Sequence, residues 1–341
     1  MYPISSKKFS FLQMLLICLV VSIATFGVTF LLKNNSKSID ETTAAHKAYC
    51  NFNVKRLDGL KYVKPIMFVS EDCPSDHLAG LNQKIVAIIN QYQTNQGVTA
   101  ASVYIRDYAP NGWTSVNEDE KYDPGSLFKV PVMIAILKMN EDNPGFLNKK
   151  VTFSKPYSLG KNVAYPSNSI QLGQSYTIQE LLVYMIKYSD NNATVLLETY
   201  MKPEVLQSLF ADIGLEVPNI ASKQYLFTVS QYSLFMRSIF NAGYLSIKDS
   251  EFAAELLTHC DFKDGIAKGL PSNVEIAHKF GEAGTNLEKQ LHESAIVYLK
   301  NKPYLLTIMT RGKENKVLAQ LIAAISKVVY EDMLADATNS M

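Results

Sequence analysis

A serine placed three residues before a lysine is the feature of this sequence most suggestive of chemistry. Ser126 and Lys129 lie in the stretch DPGSLFK, whose Pro124 favours the first turn of a helix. Residues three apart on a helix share a face, so the lysine amine can reach the serine hydroxyl. A lysine whose pKa is lowered by burial or by a neighbouring cation can take the hydroxyl proton and create a nucleophile. The same spacing also occurs by chance, as at Ser5–Lys8.

A second polar group, Ser189-Asp190-Asn191, interrupts a stretch that otherwise has a helical pattern. Three small polar residues there predict a break that faces a cavity, although a polar turn ending a helix is the simpler alternative. The Ser189 hydroxyl could pass a proton to a leaving group, and the Asn191 amide could hold a substrate amide.

A third group, Lys279-Phe280-Gly281, lies in a strand-like segment near the C-terminus. A lysine on an edge strand would attract an anionic substrate group, and Gly281 would let the substrate approach the backbone closely. The N–H groups of Glu282 and Ser126 could together form an oxyanion hole. Another Lys-x-Gly occurs at 263–265, and the strand context favours the later copy.

Hydrophobic periodicity indicates which elements would position these groups. Thr177-x-x-Glu180 is a capping box ahead of an apolar run, and Gly243 follows a helical stretch in the place of a C-terminal cap. The patterns predict helices over 76–96, 130–139, 177–200 and 229–241 and from 317 onward, and strands over 100–107, 113–116, 274–280, 295–299 and 304–310.

The order of these elements predicts an α+β fold, in which an antiparallel sheet is flanked by helices and carries an inserted all-helical lobe. The folded domain would cover 75–335, with a sheet lobe of about 75–140 and 272–335 and a helical lobe of about 141–271. A groove between two lobes is a usual place for a ligand.

The N-terminus predicts a membrane anchor. Residues 9–32 form an apolar run long enough to span a bilayer, and Lys7 and Lys8 before it favour a cytoplasmic tail over 1–8. A cleaved signal peptide is the alternative, since Ser22-Ile23-Ala24 has the pattern of a cleavage site. In either case residues 33–74 would be a linker and lead-in, and the domain would lie outside the cytoplasm.

Composition and cysteine usage narrow the functional classes. The 341 residues carry a formal net charge of +1, which gives no electrostatic reason to expect a nucleic-acid partner. No metal-ligand spacing is present, so we expect no metal or other cofactor. Of the four cysteines, Cys50 and Cys73 are the pair we favour for a disulfide, although sequence does not fix connectivity.

Taken together, these motifs resemble those of the penicillin-recognising serine hydrolases, which include class A β-lactamases and penicillin-binding proteins. The family's Ser-x-x-Lys, Ser-Asp-Asn and Lys-Thr-Gly correspond here to 126–129, 189–191 and 279–281, and the resemblance covers roughly 75–335. It implies that Ser126 is acylated with the help of Lys129, and that Ser189 shuttles protons. It also implies that Asn191 holds the substrate amide and that Lys279 binds the substrate carboxylate.

The sequence departs from the family pattern at two places. Phe280 stands where the family has a threonine or serine whose hydroxyl helps to bind the substrate carboxylate. The segment after Gly214 contains Glu216 but lacks the Glu-x-x-Leu-Asn whose glutamate drives deacylation in class A β-lactamases.

We therefore expect an acyl-enzyme-forming hydrolase that acts on cell-wall peptide or a related amide or ester. The alternatives are a β-lactamase, and a non-catalytic module that binds peptidoglycan or a partner.

Overall fold

The computed structural model describes residues 51–109, 111–157, 164–165, 167–218, 225–300 and 302–339. The strands are β1 (Phe52–Arg56), β2 (Ile66–Glu71), β3 (Val98–Asp107), β4 (Gly112–Val116), β5 (Lys150–Thr152), β6 (Ser175–Thr177), β7 (Ile276–Gly284), β8 (Lys289–Val297) and β9 (Tyr304–Gly312). The α-helices are α1 (Ala79–Gln96), α2 (Lys129–Asp142), α3 (Ile178–Lys187), α4 (Asn191–Glu198), α5 (Pro203–Ile213), α6 (Val229–Phe240), α7 (Ile247–Thr258) and α8 (Asn315–Asn339).

Five strands form one antiparallel sheet in the order β4-β3-β9-β8-β7. The alternation of side chains along β3 separates two cores, since Val103 and Ile105 pack into one and Tyr104 into the other. The predicted antiparallel sheet is therefore confirmed. Strand β7 is at one edge of this sheet, which leaves its outer side available for the residues of the site.

Helices cover both faces of the sheet. On one face, the apolar side chains of α8, among them Leu318, Ile322 and Ile325, are fully buried together with those of α1. On the other face, α2 is buried along most of its length, since the run from Val130 to Leu137 has no exposed side chain. A helix that is apolar on every side lies inside a domain, so α2 forms the centre of the helical layer.

The predicted break in the middle of the chain is confirmed. The capping box of Thr177 and Glu180 opens α3, which ends at Lys187. The carboxylate of Asp190 then accepts the Asn192 N–H and opens α4. Between the two helices, Ser189 has a φ of 54°, a left-handed conformation that side chains rarely adopt.

The structure differs from the predicted elements at three places. Strands β1 and β2 pair within the segment predicted as linker and lead-in. Strands β7 and β8 form a hairpin that extends beyond the predicted 274–280 and 295–299, because polar residues continue the ladder past the apolar ones. The left-handed residue after α6 is Ala242, with a φ of 46°, whereas Gly243 lies against the backbone of Met67.

The predicted anchor, residues 9–32, and Cys50 lie outside the described residues. In the part of the chain that is described, no helix combines the length and the apolar character needed to cross a membrane. Cys73 is disulfide-bonded and Cys260 is a buried free thiol.

The contact between β7 and the turn before α2 leaves no room for a side chain at Gly281. A Cβ there would lie 2.3 Å from the Pro124 carbonyl oxygen and 2.7 Å from the Leu127 nitrogen. We expect Gly281→Ala to lower the free energy of unfolding by about 1–3 kcal/mol, as overpacking generally does. Chemical denaturation would measure this loss.

Gly80→Ala is the matched control, since a Cβ at Gly80 would meet no atom within 4 Å. Equal stability of the two variants would contradict the close approach of β7 to this turn.

Candidate active site

Ser126 lies in a single 3-10 turn, Gly125–Phe128, and the α-helix begins only at Lys129. The turn that follows Pro124 is therefore a 3-10 turn, which leads directly into the α-helix. Gly125 has a φ of 50°, and its N–H donates to the Asp123 carboxylate at 3.0 Å. A 3-10 turn has three residues per turn and so places side chains three apart directly above one another. The Lys129 Nζ consequently lies 2.9 Å from the Ser126 Oγ.

The Lys129 amine is buried among polar partners. Its side chain is 4% exposed, and its Nζ donates to the Ser189 carbonyl oxygen at 2.6 Å and to the Asn191 Oδ1 at 2.8 Å. The Ser189 Oγ is also within 3.0 Å of this nitrogen. Burial, and secondarily the nearby Lys279, hold the pKa of Lys129 well below its usual value.

A lowered pKa allows this amine to act as a base. A neutral lysine amine has two N–H groups and one lone pair, and two of its neighbours, the Ser189 carbonyl and the Asn191 Oδ1, can only accept hydrogen bonds. Those two acceptors use both N–H groups, which leaves the lone pair for the hydroxyl of Ser126. The geometry thus suits removal of the Ser126 proton by Lys129.

Ser189 links two lysines. Its Oγ accepts from the Lys279 Nζ at 3.0 Å and lies at the same distance from the Lys129 Nζ. The left-handed backbone of Ser189 brings its hydroxyl to this position, and the next residue, Asp190, is fixed by hydrogen bonds from the Ser169 hydroxyl and the Ile170 N–H. Strained backbone held by the surrounding structure is a common feature of active sites.

Lys279 does not reach the surface of the cleft. Its side chain is fully buried. Its Nζ donates to the Phe280 carbonyl at 3.0 Å and lies 4.2 Å from the centre of the Phe280 ring. Burial lowers the pKa of Lys279 to about 8. The structure therefore brings Lys279 to Ser189 and Lys129, but it does not place the ammonium where a substrate carboxylate could touch it directly.

The two other β7 residues of the predicted site have different surroundings. Gly281 is buried against the Ser126 turn. The Glu282 main chain adjoins Gly125, where an added Cβ would lie 2.1 Å from the Glu282 carbonyl oxygen. The Glu282 carboxylate accepts the N–H groups of Ala164 and Tyr165 at 2.8 and 3.2 Å.

The Ser126 turn, the residues around Ser189 and the outer end of β7 line a cleft of about 960 Å³. Ser126, Ser189 and Asn191 all contribute to its wall, and so does Phe280, which stands where the penicillin-recognising hydrolases have a threonine or serine. The Phe280 ring stacks on Phe262 at 4.4 Å between ring centres and meets Tyr165 edge to face. This part of the wall is apolar, whereas the part around Ser126 is polar.

The comparisons with known proteins agree with this arrangement. Residues 80–333 match the family model described as the β-lactamase enzyme family. The β-lactamase VEB-1 of Pseudomonas aeruginosa is 22% identical over 237 residues, which cover 63% of this chain and 79% of that protein. The chain belongs to the β-lactamase family. It is a serine hydrolase, as the motifs predicted.

Solved structures share the fold of this β-lactamase family member. The structure of PBP-A matches with a TM-score of 0.63 at 19% identity, and the match covers 79% of this chain and 99% of the PBP-A chain. A β-lactamase from Sphaerobacter thermophilus has a TM-score of 0.62 at 15% identity and covers 74% of this chain and 97% of its own. A mutant of PBP-A with a TM-score of 0.62 at 19% identity, covering 79% of this chain and 100% of its own, is an acyl-enzyme complex with penicillin G.

Several residues of the cleft wall of this family member, among them Lys289, Glu198 and Tyr165, were not predicted from the sequence. Lys289 starts β8, Glu198 ends α4 and Tyr165 lies in a segment without regular structure. Asn191 and Glu198 are seven residues apart on one helix, a spacing of two turns that could have indicated a shared face. Lys289 could have been found only by predicting the β7–β8 hairpin, and no local signal marks Tyr165.

His292 on β8 holds the loop before Ser126 of this β-lactamase family member. Its Nε2 donates to the Asp123 carbonyl at 2.9 Å, while its Nδ1 accepts the Thr310 N–H at 3.1 Å. The imidazole is therefore neutral, and burial lowers the pKa of His292 to about 3. The unfolded chain binds a proton here below pH 6.5, whereas the folded chain binds one only near pH 3. This histidine thus stabilises the fold at neutral pH, and its contribution is lost as the pH falls.

As the pH falls from 6.5 to 3, we expect protonation of His292 in the unfolded chain to lower the free energy of unfolding by about 1.4 kcal/mol per pH unit. Denaturation of the wild type and of His292→Gln across this range should show a smaller slope in the variant. His259→Gln, at an exposed position, is the control and should keep the wild-type slope. Identical slopes for wild type and His292→Gln would contradict a neutral, buried imidazole.

Proposed function

We propose that this protein forms an acyl-enzyme on Ser126 with β-lactams and related amides or esters, and that its natural substrate is a cell-wall peptide. The observation that carries the proposal is the contact of 2.9 Å between the Ser126 hydroxyl and the buried amine of Lys129. The PBP-A mutant that is an acyl-enzyme complex with penicillin G supports the β-lactam part of the proposal.

In the proposed reaction, the Ser126 Oγ attacks the substrate carbonyl carbon while Lys129 takes its proton. The C–O bond forms, and the developing oxyanion would be met by the N–H groups of Ser126 and Glu282. The proton would then pass from Lys129 through the Ser189 hydroxyl to the leaving nitrogen, and the C–N bond breaks. Asn191 is within reach of both Lys129 and the cleft, so its amide N–H could also hold the acyl side of the substrate.

Deacylation would be slow in this proposal. Glu216 is exposed and does not line the cleft. Three carboxylates among the described residues do line it. Asp190 caps α4, Glu282 accepts two backbone N–H groups, and Glu198, at the end of α4, is near enough to Lys129 to act on its pKa. None of the three stands in a Glu-x-x-Leu-Asn stretch, the one whose glutamate drives deacylation in class A β-lactamases, and this absence favours a peptidase-like protein with a persistent adduct over an efficient β-lactamase.

An extracytoplasmic location is part of the proposal. The apolar run at 9–32 predicts it, and the disulfide of Cys73 supports it because disulfides form and persist in oxidising compartments. Periplasmic or surface exposure would bring the cleft to the cell-wall peptides that the proposal names as substrates.

The mass of the full chain after incubation with penicillin G tests the proposal. We expect a stable adduct of one penicillin in the wild type and none in Ser126→Ala. Lys129→Ala should acylate at least about 1,000-fold more slowly, because the nucleophile and its base act as a unit.

Lys248→Ala, at an exposed lysine of α7, is the control and should acylate at the wild-type rate. An adduct that vanishes as product accumulates would instead identify a β-lactamase. Full reactivity of Lys129→Ala would refute the mechanism.

Phe280→Thr tests the role of the apolar wall. The threonine would supply a hydroxyl and remove the ring that lies over the Lys279 ammonium. A hydrogen bond to a charged group contributes about 1.5–3 kcal/mol, so acylation by penicillin G should become about 10- to 100-fold faster.

The methyl ester of the same penicillin, which lacks the carboxylate, is the matched substrate and should gain little. An equal gain for acid and ester would show that the hydroxyl does not act on the carboxylate.

A further inference from the structure

A second cavity, of about 420 Å³, lies between β2, the end of β3 and α6. The residues that line it include Arg106, Arg237, Tyr108, Asn111 and Asn241. Among the described residues, it shares none with the cleft that contains Ser126, and none that lines it is acidic.

Both arginines of this cavity are buried without a compensating carboxylate. Arg106 is 1% exposed and Arg237 is 5% exposed. Within the described part of the chain, neither forms an ion pair, although Arg311 and several lysines do. Among the described residues, Arg106 donates to the Val69 carbonyl and the Asn111 side-chain oxygen and is hydrogen-bonded to Tyr104, and Arg237 donates to the Ser70 hydroxyl.

Three buried donors of the residues that line this cavity have no hydrogen-bond partner in the described part of the chain. They are the Nη1 of Arg106, the Nε of Arg237 and the hydroxyl of Tyr108. Burying a charge without a partner is costly, and an arginine does not escape that cost by losing its proton at neutral pH. Burial and the neighbouring Arg237 both lower the pKa of Arg106, which reflects the repulsion between the two cations.

We propose that this cavity binds a phosphate group, which would neutralise the two guanidiniums and accept the unpaired donors. A guanidinium presents a planar fork of N–H groups that matches two phosphate oxygens at once. The bound group would also join β2, which precedes the hydrolase core in the chain, to β3 and α6. The phosphate could be the free ion or part of an organic phosphate ester, and both have the same recognition chemistry.

Thermal unfolding of the full chain with inorganic phosphate, against chloride at equal ionic strength, tests this proposal. We expect phosphate to raise the midpoint temperature in a saturable manner. Line broadening of the ³¹P resonance of inorganic phosphate should give the same dissociation constant. No difference between phosphate and chloride, or a rise that does not saturate, would overturn the proposal.

Variants locate the bound phosphate. Arg237→Gln should weaken phosphate binding at least tenfold, whereas Lys248→Gln, which removes an exposed lysine outside the cavity, should leave binding unchanged. Tyr108→Phe removes only a hydroxyl and should weaken binding several-fold if Arg237→Gln fails to fold. Equal affinity of Tyr108→Phe, Lys248→Gln and the wild type would overturn the assignment of the site.

Two further probes distinguish the sources of the phosphate. Glycerol 3-phosphate that competes with inorganic phosphate would identify a site open to organic phosphate esters. Binding of inorganic phosphate alone would identify a site for the free ion. Acetate should compete weakly or not at all, since its two oxygens serve one guanidinium, and tighter binding of acetate than of phosphate would overturn the phosphate assignment.

Discussion

Desolvation of the Lys129 amine determines much of the organisation of this site. An ammonium group costs free energy when it leaves water, and the cost is reduced when the group gives up its proton. The apolar surroundings of α2 impose this burial, and Lys279 adds a second positive charge nearby. The Ser189 carbonyl and the Asn191 amide oxygen then offer acceptors that keep the amine in place. Burial and Lys279 thus lower the pKa of the amine, and these two acceptors fix its direction toward Ser126.

Keeping these groups together requires unusual backbone at two positions. Gly125 and Ser189 both have positive φ values, 50° and 54°, and only the first is the residue type that adopts them freely. The close approach of β7 to the Ser126 turn admits no side chain at Gly281. The site therefore depends on the packing of the sheet edge against the helical layer, and it stores strain at Ser189 that the surrounding hydrogen bonds retain.

The sequence allowed prediction of the motifs and the antiparallel sheet, because hydrophobic alternation and a capping box are local signals. It did not predict the 3-10 turn at Ser126, since that turn depends on a positive φ at Gly125 and on the tertiary contact with β7. It also missed Lys289 and Tyr165 on the cleft wall, because their positions follow from chain pairing and loop packing. The burial of Lys279 could not be predicted from its motif, since burial is decided by Phe280 and its neighbours.

Phe280 keeps the ammonium of the neighbouring Lys279 away from the cleft. Its ring closes over the Lys279 ammonium and packs on Phe262, and Lys279 contacts Ser189 instead of facing the cleft. A buried cation next to Ser189 helps to hold the pKa of Lys129 low, and this effect does not require contact with the substrate. Recognition of an anionic group would then fall to a cation on the cleft wall, and Lys289 is such a residue. Phe280 thus leaves the contacts among Ser126, Lys129 and Ser189 intact while it gives this part of the cleft an apolar wall.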